Sequence, residues 1–370
     1  MKADRDHGET YPDARPIVDA ILRDAVDRSA SDVHVEPTAN GYEIRMRVDG
    51  LLETAARHDA NTGRAIVARL MVMGNLLTYR LDVPQEGRMA AKAGGTEGEK
   101  ELDLRLAVMP TTHGVRAAVR LPAELIQPRT LEELELPAGV LRGLRGFAAG
   151  NGGEGGMLLL IGPAGSGKTT TIYALLEHLV ATSPGLSIVA LEDPVERDVP
   201  GVTQIEVSPF GQLTYERALR SILRQDPQVL MLGEIRDAAT ATLAIQATLS
   251  GHRLISTFHA ATPAGAIARL MEMGIEPYQI TSALAGIVSQ RLLRRRTPTG
   301  YQGRIPVGEF AKLDASARSA ILQRSDSKTL QAIFERQPDS LTLRQSAEQL
   351  AAAGITDAAE VNRVIGGPSD

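Results

Sequence analysis

The strongest chemical pattern in this sequence lies at residues 162–169, which match G-x-x-x-x-G-K-[ST] at every fixed position. Glycines let the backbone curl so that successive N–H groups face an anion, and the lysine reaches the β- and γ-phosphates of a nucleotide. The hydroxyl that follows the lysine holds Mg²⁺ in such loops. We therefore predict an ATP and Mg²⁺ site whose binding residues are Gly162, Pro163, Ala164, Gly165, Ser166, Gly167, Lys168, Thr169 and Thr170.

The segments beside this loop place it where the pattern requires. Residues 157–161 form a short apolar run typical of a buried strand, and residues 170–180 have apolar side chains at helical spacing. The loop then lies at a helix N-terminus, whose free N–H groups and positive dipole end favour an anion. A chance glycine-rich turn is the alternative, and the strand, the helix and the full motif together argue against it.

Acidic residues follow two later strand patterns. Residues 229–232 lead to Glu234, and ligands of open α/β sheets collect at the carboxyl ends of strands. We predict that Glu234 positions or deprotonates an attacking water and contacts Mg²⁺ partly through water, with Thr169 as the other metal ligand. A solvated loop carboxylate is the alternative. Glu192, after the strand at 187–191, is a second candidate for water positioning or magnesium coordination.

Arginines lie beside this acidic pair in the sequence. Arg217, Arg220 and Arg224 share one face of a predicted helix that leads to the strand of Glu234, and Arg236 follows that glutamate by two residues. An arginine face on a helix is usually solvated. The position of this helix favours a role at the γ-phosphate or at a subunit interface.

Two histidines, His252 and His259, flank the strand predicted at 254–258. From the residues alone, sensing of nucleotide and capping of the sheet are equally good interpretations. The chain has 7 histidines and no cysteine, and no H-x-x-x-H spacing, so we expect no zinc site.

A predicted hairpin near the N-terminus carries two further arginines. Alternation over residues 102–121 puts Arg105 opposite Arg120 on the polar face if the turn centres between Thr112 and His113. Like charges placed so are unfavourable. Taken alone, the hairpin favours two arginines extended into water; an anion held between them is the alternative.

Composition limits the class of protein. The 370 residues are 43% hydrophobic, carry a net charge of −5 and contain 3% aromatic residues. The small negative charge and the scarcity of aromatic side chains argue against nucleic-acid binding. The absence of cysteine excludes disulfides. No apolar run reaches the roughly 18 residues of a membrane span, and the polar N-terminus is no signal peptide, so we expect a soluble cytoplasmic protein.

Strand and helix patterns divide the chain into regions. Alternating strands and helices after residue 150 predict a parallel sheet with helices on both faces. Two-residue alternation upstream predicts a small α+β domain. The expected divisions are a disordered tail at 1–12, this domain at 13–127, a linker at 128–150 with a helix within 131–144, an ATPase domain at 151–300 and a helical extension at 301–370.

At this point the sequence resembles the type II secretion and type IV pilus ATPases. The resemblance is carried by the order of GPAGSGKTTT, LEDPVE, LRQDP, GEIRD, GH and TFH within residues 162–259. It extends upstream through SDVHVEP, RMRVDG and PQEGR, and downstream through QRL, GYQGR and GIT. These motifs cover nearly the whole chain.

The resemblance implies an α/β fold with a RecA-like P-loop domain, a smaller PAS-like N-terminal domain and a helical C-terminal extension. It further implies a homo-hexameric ring that pushes on an inner-membrane platform protein, with nucleotide between the two domains and only peripheral membrane association. Residues matching the family's functional positions are Glu192, Glu234, Lys168, Arg105, Arg120, Arg220, Arg236, His252 and His259. For the hairpin arginines, the resemblance reverses the preference for solvated side chains.

Three departures from the family pattern affect what is expected. Only residues 293–299 fill the gap where many assembly members carry a four-cysteine zinc module, so this is a short member without that zinc. Family-like sequence begins near Pro16, so we expect no long N-terminal docking domain. The tail at 313–364 favours secretion or pilus assembly over pilus retraction. A RecA-like nucleic-acid translocase and a non-hydrolysing regulator remain alternatives.

Overall fold

The computed structural model describes residues 12–95, 98–122, 130–150, 155–207, 213–338 and 341–366. The chain divides into two compact units, Met1–Ile126 and Gln127–Asp370. The tail predicted at residues 1–12 lies outside the described residues up to residue 11, as do residues 151–154 at the start of the predicted ATPase domain.

The first unit is an antiparallel sheet with one apolar and one polar face. Its described strands follow the order β3-β2-β1-β6-β5-β4. Buried side chains of the sheet and of both helices form one core, whereas charged residues alternate with them on the other face. The elements are α1 (Arg15–Asp27), β1 (Asp32–Thr38), β2 (Gly41–Val48), β3 (Leu51–His58), α2 (Ala60–Met73), β4 (Gln85–Gly95), β5 (Gly98–Thr111) and β6 (Gly114–Arg120).

Helix α2 ends earlier than the sequence pattern suggested. The apolar spacing over residues 62–77 predicts one continuous helix, but the helix stops at Met73. Gly74 caps it, and Asn75 takes a positive φ of 54°. Because glycine and asparagine favour helix ends, local chain chemistry overrides the apolar periodicity here.

The second unit is built on a mainly parallel sheet. Its described strands follow the order β13-β12-β7-β11-β10-β8-β9, with β13 antiparallel to β12. The strands are β7 (Gly156–Ile161), β8 (Ile188–Glu192), β9 (Thr203–Glu206), β10 (Val229–Glu234), β11 (Arg253–Phe258), β12 (Leu284–Thr297) and β13 (Gly300–Lys312).

Helices cover both faces of this sheet, as predicted. Alternate residues of β7 enter two different cores: Leu159 lies in one and Leu160 in the other. The α/β class with a parallel sheet is thus confirmed. The helices are α3 (Ala138–Ala148), α4 (Lys168–Thr182), α5 (Tyr215–Ile222), α6 (Ala238–Leu249), α7 (Pro263–Glu272), α8 (Pro277–Ala283), α9 (Ala315–Leu322), α10 (Ser327–Glu335), α11 (Leu343–Ala352) and α12 (Ala358–Ile365).

Two predicted helical segments differ in the structure. The helix expected within residues 131–144 is α3, which begins only after Pro137, because Glu135 has a positive φ of 53° and interrupts the earlier turn. Residues 301–312, expected to be helical, belong to strand β13, and helices resume at α9. Residues 293–299, which fill the zinc-module gap, form the end of β12 and a two-residue turn.

Candidate active site

The predicted phosphate loop connects β7 to the N-terminus of α4. Gly162 and Gly167 both take positive φ angles, 149° and 87°. A Cβ added to Gly162 would lie 2.5 Å from the carbonyl oxygen of Gln290, and one on Gly167 would lie 2.7 Å from Nε2 of the same residue. The loop therefore requires glycine at both positions, since it packs directly on strand β12.

Lys168 lies over this loop. Its Nζ donates hydrogen bonds to the carbonyl oxygens of Gly162 and Pro163, each at 2.9 Å. Burial lowers the pKa of the lysine and the nearby Glu234 carboxylate opposes that shift. The structure thus brings the phosphate-loop lysine and the glutamate at the end of β10 within electrostatic reach of each other, as predicted.

Glu234 is the centre of a charged cluster at the carboxyl ends of the strands. Its Oε2 accepts a hydrogen bond from Arg236 Nε at 2.9 Å, and His259 Nε2 lies 2.8 Å from its Oε1. Arg236 also lies 3.5 Å from Oδ2 of Asp193, the residue after β8. Three predicted residues meet here. Asp193 is an addition, and its place next to Glu192, just after the strand predicted at 187–191, could have indicated it.

Glu192 has a different environment, although it also ends a strand. Its side chain is 3% exposed, and it accepts hydrogen bonds from the Tyr173 hydroxyl and from Gln204 Nε2, the latter at 2.8 Å. Burial raises the pKa of Glu192, against the lowering effect of those two hydrogen bonds. Both carboxylate oxygens are therefore occupied by protein donors, an arrangement that favours a positioning role; the predicted catalytic role stays a prediction.

Two other predicted residues lie apart from the Glu234 cluster. Arg220 on α5 pairs with Glu216 one helical turn earlier, at 2.7 Å, and its side chain is 64% exposed. His252 lies at the opposite end of β11 from His259, and its Nδ1 is 2.8 Å from the carbonyl oxygen of Ala247 on α6. His252 therefore contacts helix α6 and His259 contacts the cluster, and the choice between nucleotide sensing and sheet capping stays a prediction.

In the first unit, the register of the sheet confirms the predicted pairing of Arg105 with Arg120. Arg88 on β4 faces Arg105 from the other side. Arg120 Nε donates to Asp32 Oδ1 at 3.1 Å, whereas Arg105 is exposed. A row of three arginines with a carboxylate at one end is a surface that favours an anion.

The side chains at the carboxyl edge of the second unit fit Mg²⁺. Thr169 is the second residue of α4, so its hydroxyl lies in the helical turn next to the phosphate loop. Among the described residues no group of three or more acidic, histidine or cysteine side chains could hold a metal alone. Magnesium commonly takes one or two protein oxygens and completes its shell with phosphates and water, which this hydroxyl and the Glu234 carboxylate allow.

The comparison that decides the family covers nearly the whole sequence. Residues 9–363 match the family model described as Type II/IV secretion system protein. The chain belongs to this family. Among its relatives, Type II secretion system protein E of Klebsiella pneumoniae is 35% identical to this chain. The match covers 95% of this chain and 76% of the length of the relative. The Type II secretion system ATPase E of Vibrio cholerae is 40% identical over 76% of this chain and 54% of its own.

Further comparisons cover the pilus branch and the fold. The Type IV pilus assembly ATPase PilB of Thermus thermophilus is 33% identical over 94% of this chain and 42% of its own. The Legionella pneumophila ATPase DotB superposes with a TM-score of 0.72 at 18% identity over 97% of each chain. The pilus retraction motor PilT with bound ADP superposes with a TM-score of 0.64 at 24% identity. The superposition covers 95% of this chain and 97% of the PilT chain. These two structures establish the RecA-like fold that the secretion-system protein shares.

Within the described residues, no helix combines the length and the apolar composition that a membrane crossing requires.

Proposed function

We propose that this chain is an ATPase motor that powers assembly of a type II secretion pseudopilus or a type IV pilus. The observation that carries the proposal is the position of Glu234, between His259 and Arg236 and within electrostatic reach of Lys168. A phosphate loop and a carboxylate at one sheet edge are the two parts that nucleotide hydrolysis requires. Relatives at 33% and 40% identity are named as ATPases, which supports the same chemistry here.

Each side chain has a defined task in the proposed reaction. Lys168 leaves the loop carbonyls and binds the β- and γ-phosphates, while backbone N–H groups of the loop and of α4 hold the remaining oxygens. Glu234 accepts a hydrogen bond from a water and orients it in line with the γ-phosphate. Arg236 stabilises the charge that develops as the bond to the β-phosphate breaks. Magnesium, when bound at Thr169, supplies further neutralisation of the phosphates.

The proposed assembly is a homo-hexamer in which Arg105 and Arg120 also reach the phosphates. The arginine row on the first unit supports this, because like charges set opposite one another gain most when an anion lies between them. The proposed partner is an inner-membrane platform protein, which would hold a cytoplasmic ring at the membrane surface. In the same proposal, Glu234 also contacts Mg²⁺ partly through water, Arg220 helps to stabilise the phosphates, and the buried Glu192 acts only as a positioning residue through Tyr173 and Gln204.

Other functions would use the same fold. A pilus retraction ATPase differs in the direction of the work, and a RecA-like nucleic-acid translocase differs in its partner. The net charge of −5 and the aromatic content of 3% argue against the translocase. A regulator that binds nucleotide without hydrolysing it would have no use for the His259–Glu234–Arg236 cluster.

The experiment is a phosphate-release assay on purified full-length protein with Mg²⁺ and ATP, with and without single-stranded DNA. We expect DNA-independent release that falls at least about 100-fold in Lys168→Ala, since the loop loses its cation for the γ-phosphate. Stimulation by DNA would favour the translocase, and tight ATP binding without release would favour the regulator. Co-purification with a polytopic membrane protein tests the motor's partner.

A further inference from the structure

One half-buried arginine of the second unit has no task in the reaction described so far. Arg291 lies in the middle of β12 and pairs with Val307 of β13. Its Nη1 donates to the carbonyl oxygen of Gln290 at 2.9 Å, and its Nη2 donates to the carbonyl oxygen of Ala261 at 3.2 Å. The guanidinium group therefore joins two segments that are far apart in sequence.

The phosphate loop packs against the first of these segments, at Gln290 on β12. A Cβ on Gly162 would lie 2.5 Å from the Gln290 carbonyl oxygen and 2.9 Å from Arg291 Nη1. The side chain of Gln290 is also engaged, since its Oε1 accepts a hydrogen bond from the Thr171 hydroxyl on α4 at 2.9 Å. A displacement of the loop would therefore directly change the contacts of Gln290 and Arg291.

The second segment is residues 259–261, which carry the histidine of the catalytic cluster. His259 Nε2 contacts Glu234, and its own carbonyl oxygen accepts a hydrogen bond from Arg269 at 2.7 Å. Arg291 holds the same segment two residues later, at Ala261. Two arginines thus fix the backbone on which the position of the His259 ring depends.

We infer that Arg291 is a positioning residue that holds segment 259–261 against the part of β12 on which the phosphate loop packs. It thereby keeps His259 and Glu234 in place for hydrolysis. The planar guanidinium presents donors on both Nη atoms, so that one side chain can satisfy two carbonyls at once. Lysine keeps the charge but offers a single nitrogen on a flexible stem. The inference rests on the proposed ATP hydrolysis and adds a residue to it.

The test compares Arg291→Lys and Arg291→Gln with wild type in the phosphate-release assay. We expect kcat to fall about 10- to 100-fold in both variants, because an error of about 1 Å in the reacting groups has a cost of that order. The dissociation constant of a fluorescent ATP analogue should change less than about 3-fold. The matched control is Arg295→Lys on the same strand, whose guanidinium pairs with Glu135; its kcat should remain at the wild-type value.

A double variant tests the route through the histidine. If Arg291 acts by placing His259, the double variant of Arg291→Lys and His259→Gln should lose no more kcat than the more severe of the two single variants. Additive losses would overturn this route. A normal kcat in Arg291→Lys together with weakened nucleotide binding in Arg291→Gln would also overturn it, since Arg291 would then act by charge on the phosphates.

Hydrogen–deuterium exchange supplies a readout that needs no turnover. In Arg291→Lys, amides of residues 258–262 should exchange faster than in wild type, while amides of β10 should be unchanged; equal rates at 258–262 would overturn the inference. If wild-type protein releases no phosphate, hydrolysis fails as the function, yet this exchange experiment still decides whether Arg291 fixes the segment. Melting temperatures of both variants exclude global unfolding as the cause.

Discussion

Strands β8 and β10 lie side by side in one sheet and each ends in a glutamate, yet the two carboxylates lie in different surroundings. Glu192 is sealed between a tyrosine and a glutamine and is 3% exposed. Glu234 contacts His259 and Arg236, whose side chains are 49% and 56% exposed. A strand-end carboxylate is available to a substrate only where its partners can themselves rearrange, and Glu234 alone of this pair meets that condition.

The largest expected effect separates these two carboxylates directly. Glu234→Gln should lower kcat about 1,000-fold or more, because the amide no longer accepts a proton or a strong hydrogen bond from the attacking water. Glu192→Gln should keep kcat within about 5-fold, since the amide oxygen can still accept the Tyr173 hydrogen bond. Steady-state phosphate release from both variants is the measurement, with melting temperature as the control for folding. A 1,000-fold loss in Glu192→Gln would return that residue to the catalytic group.

A smaller effect is expected from the arginines of the first unit. Arg105→Ala and Arg120→Ala should each lower kcat/KM about 10- to 100-fold, because arginines that contact a transferring phosphate stabilise its transition-state charge. Removing Arg105 relieves its like-charge contact with Arg120, so stability should not fall in Arg105→Ala. Arg120→Ala relieves the same contact but loses the pair with Asp32 at 3.1 Å, so its melting temperature is measured alongside its kinetics. Arg57→Ala, on the edge strand β3, is the matched control, since it pairs with Glu43 at 2.8 Å. Unchanged kinetics in both variants would leave the arginine row without a role in hydrolysis, and the reaction confined to the edge that carries Glu234.

The phosphate loop and the parallel sheet could be predicted from sequence because their determinants are local. The motif fixes the glycines, the lysine and the hydroxyl within eight residues, and the strand that precedes them is continuously apolar. The pairing of Arg105 with Arg120 was also predictable, because a tight hairpin fixes its own register.

The distinction between the two glutamates could not be predicted, since it depends on contacts distant in sequence. Gln204, which donates a hydrogen bond to Glu192, comes from β9. Gln290, on which the phosphate loop packs, lies more than a hundred residues after that loop. The early end of α2 and the late start of α3 were missed for a different reason, since single residues at positive φ outweighed an apolar period. Sequence patterns thus fixed which residues lie near the strand ends, and tertiary partners decided which of them face the substrate.

The smallest effects on turnover are expected from two buried carboxylates of the C-terminal region, which extend the comparison to groups with no catalytic task and whose effects are on stability. Glu360 on α12 accepts hydrogen bonds from Arg294 and Arg363, and these outweigh its burial and lower its pKa to about 2. Glu309 on β13 accepts one from the Leu343 amide at 3.0 Å, and burial raises its pKa to about 7. One buried carboxylate is thus held charged and the other favours its neutral form.

These opposite shifts predict opposite dependences of stability on pH. A carboxyl has an ordinary pKa of 4.5, so the stability from Glu360 is present above that value and is lost as pH falls towards about 2. Glu309 contributes most below pH 4.5, and that contribution is lost as pH rises to about 7. In thermal unfolding, Glu360→Gln should therefore cost about 3 kcal/mol at pH 7 and progressively less in acid. The stability of Glu309→Gln should rise relative to that of wild type between pH 5 and pH 7.5, because the amide has no proton to lose. If the difference in stability between each variant and wild type does not change with pH, neither carboxylate titrates differently in the folded protein. The division between sealed and available carboxylates would then rest on Glu192 and Glu234 alone.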